Sequence, residues 1–142
     1  MADNFGLKIG VEGEKEFKNA LRDINQAFKV LGSEMALISS QFDKNDKSIQ
    51  ALTARNEVLE KSIDAQKEKI ETLRAALDNA STSFGENDRR TQNWQIQLNK
   101  ALAELNGMER ELENNHKALR DHADVTDDSA DNMEDAADAA NE

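Results

Sequence analysis

The chain of 142 residues contains no cysteine and no proline, and aromatic residues make up only 4% of it. The absence of cysteine excludes disulfide bonds, thiolate metal sites and cysteine nucleophiles. The absence of proline favours long uninterrupted helices, because an interior proline costs a helix ~3 kcal/mol. No apolar run approaches the ~20 residues of a membrane-spanning helix, and the first four residues lack the basic and apolar regions of a signal peptide. We therefore expect a protein that starts in the cytoplasm and has no membrane segment.

Charge is divided unevenly along the chain, whose net charge is −11. Residues 121–142 contain nine acidic residues and no lysine or arginine, whereas the other 120 residues carry 20 acidic and 18 basic residues. Neither part has the basic face that nucleic-acid binding needs, so no direct nucleic-acid site is predicted. Low hydrophobicity and charge of one sign predict that residues 121–142 form a linker, a disordered tail or a frayed helix.

An apolar heptad repeat is the strongest pattern in the sequence, and it runs from Phe17 to Phe84 without a slip. With Leu21 taken as an a position, seventeen of the twenty a and d positions are apolar. This spacing keeps one narrow stripe facing a partner helix, as in a coiled coil. The sequence therefore predicts an all-α fold of long heptad-patterned helices that form a helical hairpin or coiled coil. The residues predicted to carry helix packing and self-association are Leu21, Ile24, Phe28, Leu31, Met35, Ile38, Phe42, Ile49, Leu52, Asn56, Leu59, Ile63, Ile70, Leu73, Leu77, Trp94, Leu98, Leu105, Met108 and Leu112.

Ahead of the helices, Phe5, Leu7, Ile9 and Val11 alternate with glycine and lysine. This period-2 pattern predicts one short strand, which Gly13 is expected to end. The predicted divisions of the chain are a strand or extended segment over residues 1–13, a helical module over 14–120 with helices at about 14–41, 46–83 and 88–120, and an acidic linker or disordered tail over 121–142.

Two polar joints separate the predicted helices, and both contain the pattern Phe-x-x-Asn-Asp-basic, at residues 42–47 and 84–89. The two copies are 42 residues apart, which is six heptads, so the stripe of the third helix stays in phase with the first two. Either the chain contains a weak internal repeat, or both joints simply reflect the preference of helix ends for asparagine and aspartate. The predicted joint residues are Asn45, Asp46, Gly85, Asn87 and Asp88, with Gly85 ending a helix and Asn87 or Asp88 capping the next.

Heptads in phase would allow one continuous rod of about 100 residues, roughly 150 Å long, whereas a fold-back at the second joint would give a hairpin. In a parallel rod Lys69 would face Arg74 of its neighbour and Glu104 would face Glu109, and both contacts are repulsive. In the hairpin Lys69 would lie opposite Glu104 and Lys67 would approach Glu109. Each such pair contributes only ~0.3–0.5 kcal/mol. The charges therefore favour a hairpin of the second and third helices.

The sequence offers no combination of residues suited to catalysis. His116 and His122 are six apart, which places them on different faces of a helix, whereas metal pairs on helices favour a spacing of four. The acidic run at Asp127–Asp131 lacks the glycine and the terminal glutamate of an EF-hand loop. The glycines near the start form no phosphate-binding pattern. We therefore predict a protein that is not an enzyme and that has no cofactor or metal site.

Two residues of the stripe have more than one interpretation. Asn56 at an a position is either a device that fixes the register of helix pairing or a tolerated polar interruption. Trp94 lies on the stripe just past the second joint, where we expect it to clamp the helix interface rather than bind a ligand.

Several segments of the sequence are similar to segments of one known family. They are Lys8–Gly13, Ser40–Asn56, Ile63–Lys69, Phe84–Asp88 and Arg90–Gln95. These stretches resemble the N-terminal region of tail tape measure proteins from phages and prophages of Gram-positive bacteria. The similarity covers roughly residues 5–120.

The resemblance implies a structural virion protein without enzymatic activity. Members of the family lie extended inside the tail tube during assembly and set its length. They work with the tube protein, tail assembly chaperones and baseplate or tip proteins. The resemblance thus implies the host cytoplasm during assembly and then the lumen of the virion tail, with a homo-oligomer expected from the stripe.

The chain departs from the family in length. As one helix, 142 residues would span roughly 210 Å, which is less than most long tails. We expect a fragment of a longer tape measure protein, a degenerate prophage product or a small tail protein that shares the module. The alternative is a cytoplasmic coiled-coil adaptor or oligomerisation protein, or a small secreted helical hairpin, although Trp94–Ile96 lacks the glycine of the Trp-x-Gly turn found in such hairpins.

Overall fold

The computed structural model describes the backbone of residues 10–133 and the side chains of residues 12–123. This part of the chain is all-α, as predicted, and consists of the helices α1 (Gly10–Gln41), α2 (Ile49–Phe84) and α3 (Arg89–Met133). Residues 10–133 contain no strand. None of these helices combines the length and the apolar character needed to cross a bilayer.

α2 is the middle helix and packs against both of the others. On the α3 side, the Gln66 side chain donates a hydrogen bond to the carbonyl of Ala101 (2.8 Å). Asn56, earlier on α2, pairs with Asn115, later on α3. Because earlier residues of α2 contact later residues of α3, the two helices run antiparallel.

α1 also packs antiparallel on α2, an arrangement that was not predicted from the sequence. Ile24 of α1 and Thr72 of α2 line one cavity between the helices. The Lys69 ammonium group lies 5.7 Å from the centre of the Phe28 ring. α1 and α3 therefore both run opposite to α2, and their N-terminal ends meet beside the joint at Gly85.

The main apolar core lies at this end of the molecule, where all three helices contribute to it. Phe17 and Trp94 are each 2% exposed, and Leu73 is completely buried. Burial of large side chains from three helices supplies the hydrophobic free energy that holds them together. The core consists of Phe17, Leu21, Ile24, Ile70, Leu73, Ala76, Ala80, Trp94, Leu98 and Ala101.

α2 buries a second face that the heptad pattern does not predict. Ala51, Val58, Thr72 and Ala76 are buried although none of them is at an a or d position. Thr72 faces α1 across the cavity that it lines together with Ile24. Ala51 and Val58 precede Thr72 by multiples of seven residues and Ala76 follows it by four, so all four lie on the same side of α2. Their small or β-branched side chains let α1 approach α2 closely, so α2 has one face for each neighbour.

The predicted N-terminal strand is wrong where the structure tests it. α1 begins at Gly10, so Val11 and Gly13 are helical, and Gly13 is buried inside the helix that it was expected to precede. An isolated strand cannot satisfy its backbone hydrogen-bonding groups alone, whereas a helix pairs them within one segment. The rest of the predicted strand, residues 5–9, lies outside the described residues.

The structure separates the alternatives predicted for the C-terminal region. α3 continues to Met133, thirteen residues past the predicted end of the helical module. Residues 121–133 are therefore helical, which agrees with the alternative of a helix and corrects the division into a helical module and a linker or disordered tail at residue 121. Extending an existing helix costs much less than starting one, and Ala123 and Ala130 are favourable residues for that extension. Residues 134–142 lie outside the part of the chain that the structure describes.

Candidate functional site

The first joint, between α1 and α2, is built by polar side chains that cap backbone groups. The Asp46 carboxylate accepts the N–H of Ser48 (2.8 Å), and the Ser48 hydroxyl accepts the N–H of Ala51 as the N-cap of α2. α2 thus begins at Ile49, three residues later than predicted. The Arg55 guanidinium donates to the carbonyls of Asp46 (2.6 Å) and Asp43 (2.7 Å). Arg55 was not predicted as a joint residue, because it lies a full turn inside the helix.

The second joint, between α2 and α3, depends on a glycine. Gly85 ends α2 with φ +94° and ψ 156°, a backbone conformation that residues with a Cβ atom rarely adopt. Its carbonyl accepts the hydroxyl of Thr91 (2.7 Å). Asp88 precedes the first residue of α3, and its carboxylate accepts the N–H of Arg90 (2.8 Å). The Arg90 guanidinium also bonds both carboxylate oxygens of Asp88 and stacks 3.5 Å from the centre of the Phe84 ring.

The two joints share hydrogen bonds at the 42-residue offset seen in the sequence. The N–H of Asp46 donates to the carbonyl of Asp43 (2.9 Å), and the N–H of Asp88 donates to that of Gly85 (3.2 Å). Each aspartate then accepts the N–H two residues later. Asn45 and Asn87 occupy the exposed turn just before each aspartate. These matched bonds favour an internal repeat of one joint over a chance likeness in composition.

The hydrogen bonds at each joint lower the pKa of its aspartate. Arg90 holds the pKa of Asp88 at about 2, mainly through its side chain and then through its backbone N–H. The N–H and the hydroxyl of Ser48 lower the pKa of Asp46, and the charge of Arg55 acts in the same direction. Both caps therefore depend on an ionised carboxylate.

The predicted packing residues divide into two groups of ten. One group is fully buried: Leu21, Ile24, Leu52, Asn56, Leu59, Ile63, Ile70, Leu73, Trp94 and Leu98. The other group is only half-buried: Phe28, Leu31, Met35, Ile38, Phe42, Ile49, Leu77, Leu105, Met108 and Leu112. In the second group Phe28, Leu77 and Leu105 pack against the core, whereas half of the group lies farther along the two outer helices, namely Leu31, Met35, Ile38, Met108 and Leu112.

Two buried polar contacts lie in the surface between α2 and α3. The side-chain amide of Asn115 donates to the side-chain oxygen of Asn56 (2.9 Å), and the two residues are 7% and 6% exposed. Gln66, which is 1% exposed, donates to the Ala101 carbonyl and to the Glu104 carboxylate (3.2 Å). A buried amide without a partner costs about 1–3 kcal/mol. A helix shifted along this surface would lose both contacts, so they favour a single register.

The two residues of the expected pair Lys69–Glu104 make other contacts. Glu104 accepts from Gln66, and the ammonium group of Lys69 lies over the Phe28 ring of α1. The pairing was predicted for α2 and α3 alone, whereas α1 competes for Lys69.

Trp94 joins α3 to α1, in keeping with the prediction of a clamp. Its indole N–H donates to the Glu14 carboxylate (3.0 Å), and its ring meets the ring of Phe17 edge-on, with centroids 6.5 Å apart. The clamp therefore reaches α1 as well as the shared core, in which Leu73 and Ala80 of α2 take part.

The histidines make separate contacts, as their spacing predicts. His116 lies 3.9 Å from the Glu60 carboxylate on α2, and His122 bonds the Lys47 carbonyl at the first joint (2.7 Å). Among the described side chains, no group of three or more metal-ligating residues comes together. An open groove beside the second joint is lined by Arg74, Asp78, Glu86 and other polar residues.

One side of α1 carries apolar side chains that remain in solvent. Val30 is 50% exposed and Leu37 is 60% exposed. They lie seven residues apart, next to the half-buried Leu31 and Ile38. This patch, which we call the α1 patch, consists of Val30, Leu31, Leu37 and Ile38. Among the described residues, the α1 patch is the main exposed apolar surface that a partner could cover.

The chain matches no protein-family model, no curated protein and no solved structure.

Proposed function

We propose that the chain is a structural helical module of a phage tail tape measure protein, which contributes to setting the length of the tail tube during assembly. One observation carries the proposal. The stretches that resemble the family, above all Ser40–Asn56 and Phe84–Asp88, contain the residues that build the two helix joints. Asp46, Arg55 and Asp88 each make defined capping bonds there. The segments that resemble the family therefore correspond to specific structure rather than to general helix composition.

The proposed packing mode is a coiled coil in which α2 and α3 form a hairpin. Its support is the unbroken heptad spacing together with the antiparallel contacts at Gln66 and Asn56. Self-association is proposed to use the α1 patch, because full burial of its side chains needs a surface that the described part of one chain does not supply. Each leucine-sized side chain transferred from water contributes ~1.5–3 kcal/mol.

The proposed partners are the tail tube protein, tail assembly chaperones and baseplate or tip proteins. The proposed location is the host cytoplasm during assembly and then the tail lumen. The described side chains, those of residues 12–123, form packing surfaces and joints and no cluster of three or more metal-ligating residues, which suits a structural role. We do not assign an enzymatic activity.

The neighbourhood of the coding sequence and a gene disruption test this function. Genes for a tube protein, assembly chaperones and baseplate proteins are expected beside it, and their absence would contradict the proposal. Disruption of the coding sequence in its phage or prophage is expected to abolish tails of normal length in negative-stain electron micrographs. Reintroduction of the intact gene should restore them. Normal tails after disruption would exclude a role in measuring length.

A second candidate is an oligomerisation or adaptor module outside a phage, which the α1 patch favours equally well. That function predicts the same self-association but no tail genes nearby and no tail defect. The gene neighbourhood therefore separates the two candidates, whereas measurement of oligomeric state alone does not.

A further inference from the structure

The second joint interrupts the helix but not the heptad phase. The stripe continues through Leu77, Ala80 and Phe84 on α2 to Thr91 and Trp94 on α3 with the same 3-4 spacing. Four residues, 85–88, separate the helices, and none is proline. If these four became helical, α2 and α3 would form one continuous helix with its stripe along a single side.

The folded-back joint depends on the backbone conformation of Gly85, on the hydrogen bond from the Thr91 hydroxyl to the Gly85 carbonyl and on the cap at Asp88. A Cβ atom added at Gly85 would meet no other atom within 4 Å, so the site has space for a side chain and only its φ of +94° excludes one. The hydrogen bond from the N–H of Gly85 to the Ser81 carbonyl already has the i to i−4 spacing of an α-helix. The joint is thus close to helical on its α2 side.

The contacts between α2 and α3 are arranged about the joint. The pairs Gln66–Ala101 and Asn56–Asn115 both have midpoints within about two residues of Gly85. If two copies of a straight α2–α3 helix crossed antiparallel at Gly85, the same residues would therefore lie opposite each other. Each pair would then have one member on each chain. Both of these buried polar contacts would then form twice in the dimer, each time between the two chains.

We propose that two copies of this chain exchange α3 at the Gly85 joint to form a domain-swapped dimer, in which each continuous α2–α3 helix packs against that of the second copy. The face of α2 that binds α3 is then covered by α3 of the second copy. α1 remains on its own α2, so Phe17 and Glu14 of one chain clamp Trp94 of the other. This exchange uses the surface between α2 and α3 and is independent of the α1 patch and of the tail function.

Gly85→Ala in the full 142-residue chain tests the exchange. A residue with a Cβ atom disfavours the folded-back joint by about tenfold in each chain, so the dimer dissociation constant is expected to fall about a hundredfold. Analytical ultracentrifugation over a concentration series measures it. Gly107→Ala is the matched control, because Gly107 lies inside α3 with nothing within 4 Å of an added Cβ. It leaves the joint unchanged and should leave the dissociation constant unchanged within about threefold.

A cross-link shows which chain supplies α3. Glu60 and His116 are exposed neighbours across α2 and α3, and the chain has no cysteine of its own. In a Glu60→Cys/His116→Cys variant, a short bis-maleimide should link residues within one chain in the monomer. Combined with Gly85→Ala, it should link two chains and give a dimer band under denaturing conditions. A dimer whose cross-links remain within single chains overturns the exchange, and so does a Gly85→Ala chain that stays monomeric.

A second variant keeps the test decisive if Gly85→Ala does not fold. Insertion of Gly-Ser-Gly-Ser after Asn87 lengthens the fold-back and breaks the heptad phase, so cross-links between positions 60 and 116 should stay within single chains at every concentration. The wild-type chain should form links between chains as its concentration rises. Links only within chains at the highest concentration, or dimers of the insertion variant linked between chains, would overturn the proposal.

Discussion

At the residue scale, the buried amides between α2 and α3 select one arrangement among many that the apolar residues would accept. Leucine and isoleucine side chains pack in several registers with similar free energy, whereas the amides of Asn56 and Asn115 are satisfied when those two residues meet. Gln66 adds a second fixed point nearer the Gly85 end. Specificity here comes from the penalty for an unpaired polar group rather than from the strength of the bonds.

Removal of one amide should therefore destabilise the fold more than removal of both. Asn56→Ala leaves the Asn115 amide buried without a partner, and we expect a loss of about 1–3 kcal/mol in the free energy of unfolding. Asn56→Leu/Asn115→Leu should unfold at or above the wild-type urea midpoint, because no polar group is left unsatisfied. Urea unfolding followed by circular dichroism measures both. A double variant that unfolds at a lower urea concentration than Asn56→Ala would contradict this account.

Asp88 should contribute to the loss of stability in acid. Its folded pKa of about 2 lies below the ordinary value of 3.8 because the Arg90 side chain and N–H bond the ionised form. A depressed folded pKa gives stability that is present above pH ~4 and is lost as the pH falls toward 2. Asp88→Asn keeps an acceptor for the N–H of Arg90 but has no charge to lose. We therefore expect its urea midpoint to fall less than that of the wild type between pH 4 and 2.

Asp64→Asn is the control for the acid experiment, because it removes an exposed carboxylate in the middle of α2. Its midpoint should follow the wild-type curve with pH. If Asp88→Asn follows that curve too, the ion pair with Arg90 does not contribute to acid sensitivity.

The sequence predicts Asn56 as a packing residue, but it predicts neither its partner Asn115 nor the buried contact of Gln66. Asn56 stands out because it interrupts an apolar seam, and the register interpretation of it is consistent with its bond to Asn115. Asn115 lies among other polar residues near the end of α3, where a single asparagine gives no signal. Arg55 and Thr91 were missed for a similar reason, since the carbonyls that they cap come from turns whose geometry the sequence does not specify.

At the element scale, α1 is held mainly by one end. Near its start, Phe17, Leu21 and Ile24 are buried, whereas Leu31 and Ile38, farther along α1, are only half-buried. Such a helix can detach while its neighbours stay paired, because the α2–α3 surface has its own buried contacts. The contact between Phe17 and Trp94 links α1 to α3.

Phe17→Ala should release α1 without unfolding the hairpin of α2 and α3. Truncation of a buried phenylalanine costs about 3–5 kcal/mol, which we expect to appear as local opening. Hydrogen exchange should speed up across α1 and stay slow in the middle of α2. Trp94 is the only tryptophan of the chain, so its emission should shift to longer wavelength as solvent reaches it. Leu37→Ala, at a position on the same helix that is 60% exposed, should change neither signal; equal loss of protection in all three helices would contradict independent detachment.

The elements were predicted well where packing follows one stripe and poorly elsewhere. The ends of α2 and the start of α3 fall within three residues of their predicted positions, because capping residues and Gly85 mark them. The start of α1 and the end of α3 were misplaced, since the alternating pattern near Val11 and the acidic residues after Arg120 suggested other structures. The second face of α2 was missed because small residues such as Ala51 and Ala76 look like the exposed side of a single-stripe helix.

At the scale of the whole molecule, the outer helices diverge from a shared core. The core at the Gly85 end joins all three helices, while the helix pairs with extended contacts among the described residues are α1 with α2 and α2 with α3. This leaves half of the predicted packing residues partly exposed. The heptad stripe indicated correctly that apolar surface must be covered, but one chain covers only part of it.

The α1 patch should therefore govern association of whole molecules. Val30→Glu/Leu37→Glu changes two exposed side chains, so the monomer should keep its wild-type circular dichroism and urea midpoint. Its self-association constant should fall about tenfold or more, because two apolar contacts are replaced by charges. Sedimentation velocity over a concentration series measures this change. Asn93→Glu/Ile96→Glu adds the same two charges at exposed positions of α3 and should associate as the wild type does. If the patch variant associates normally while the insertion at the Gly85 joint abolishes association, the molecules pair through exchanged α3 helices and the patch has no part in it.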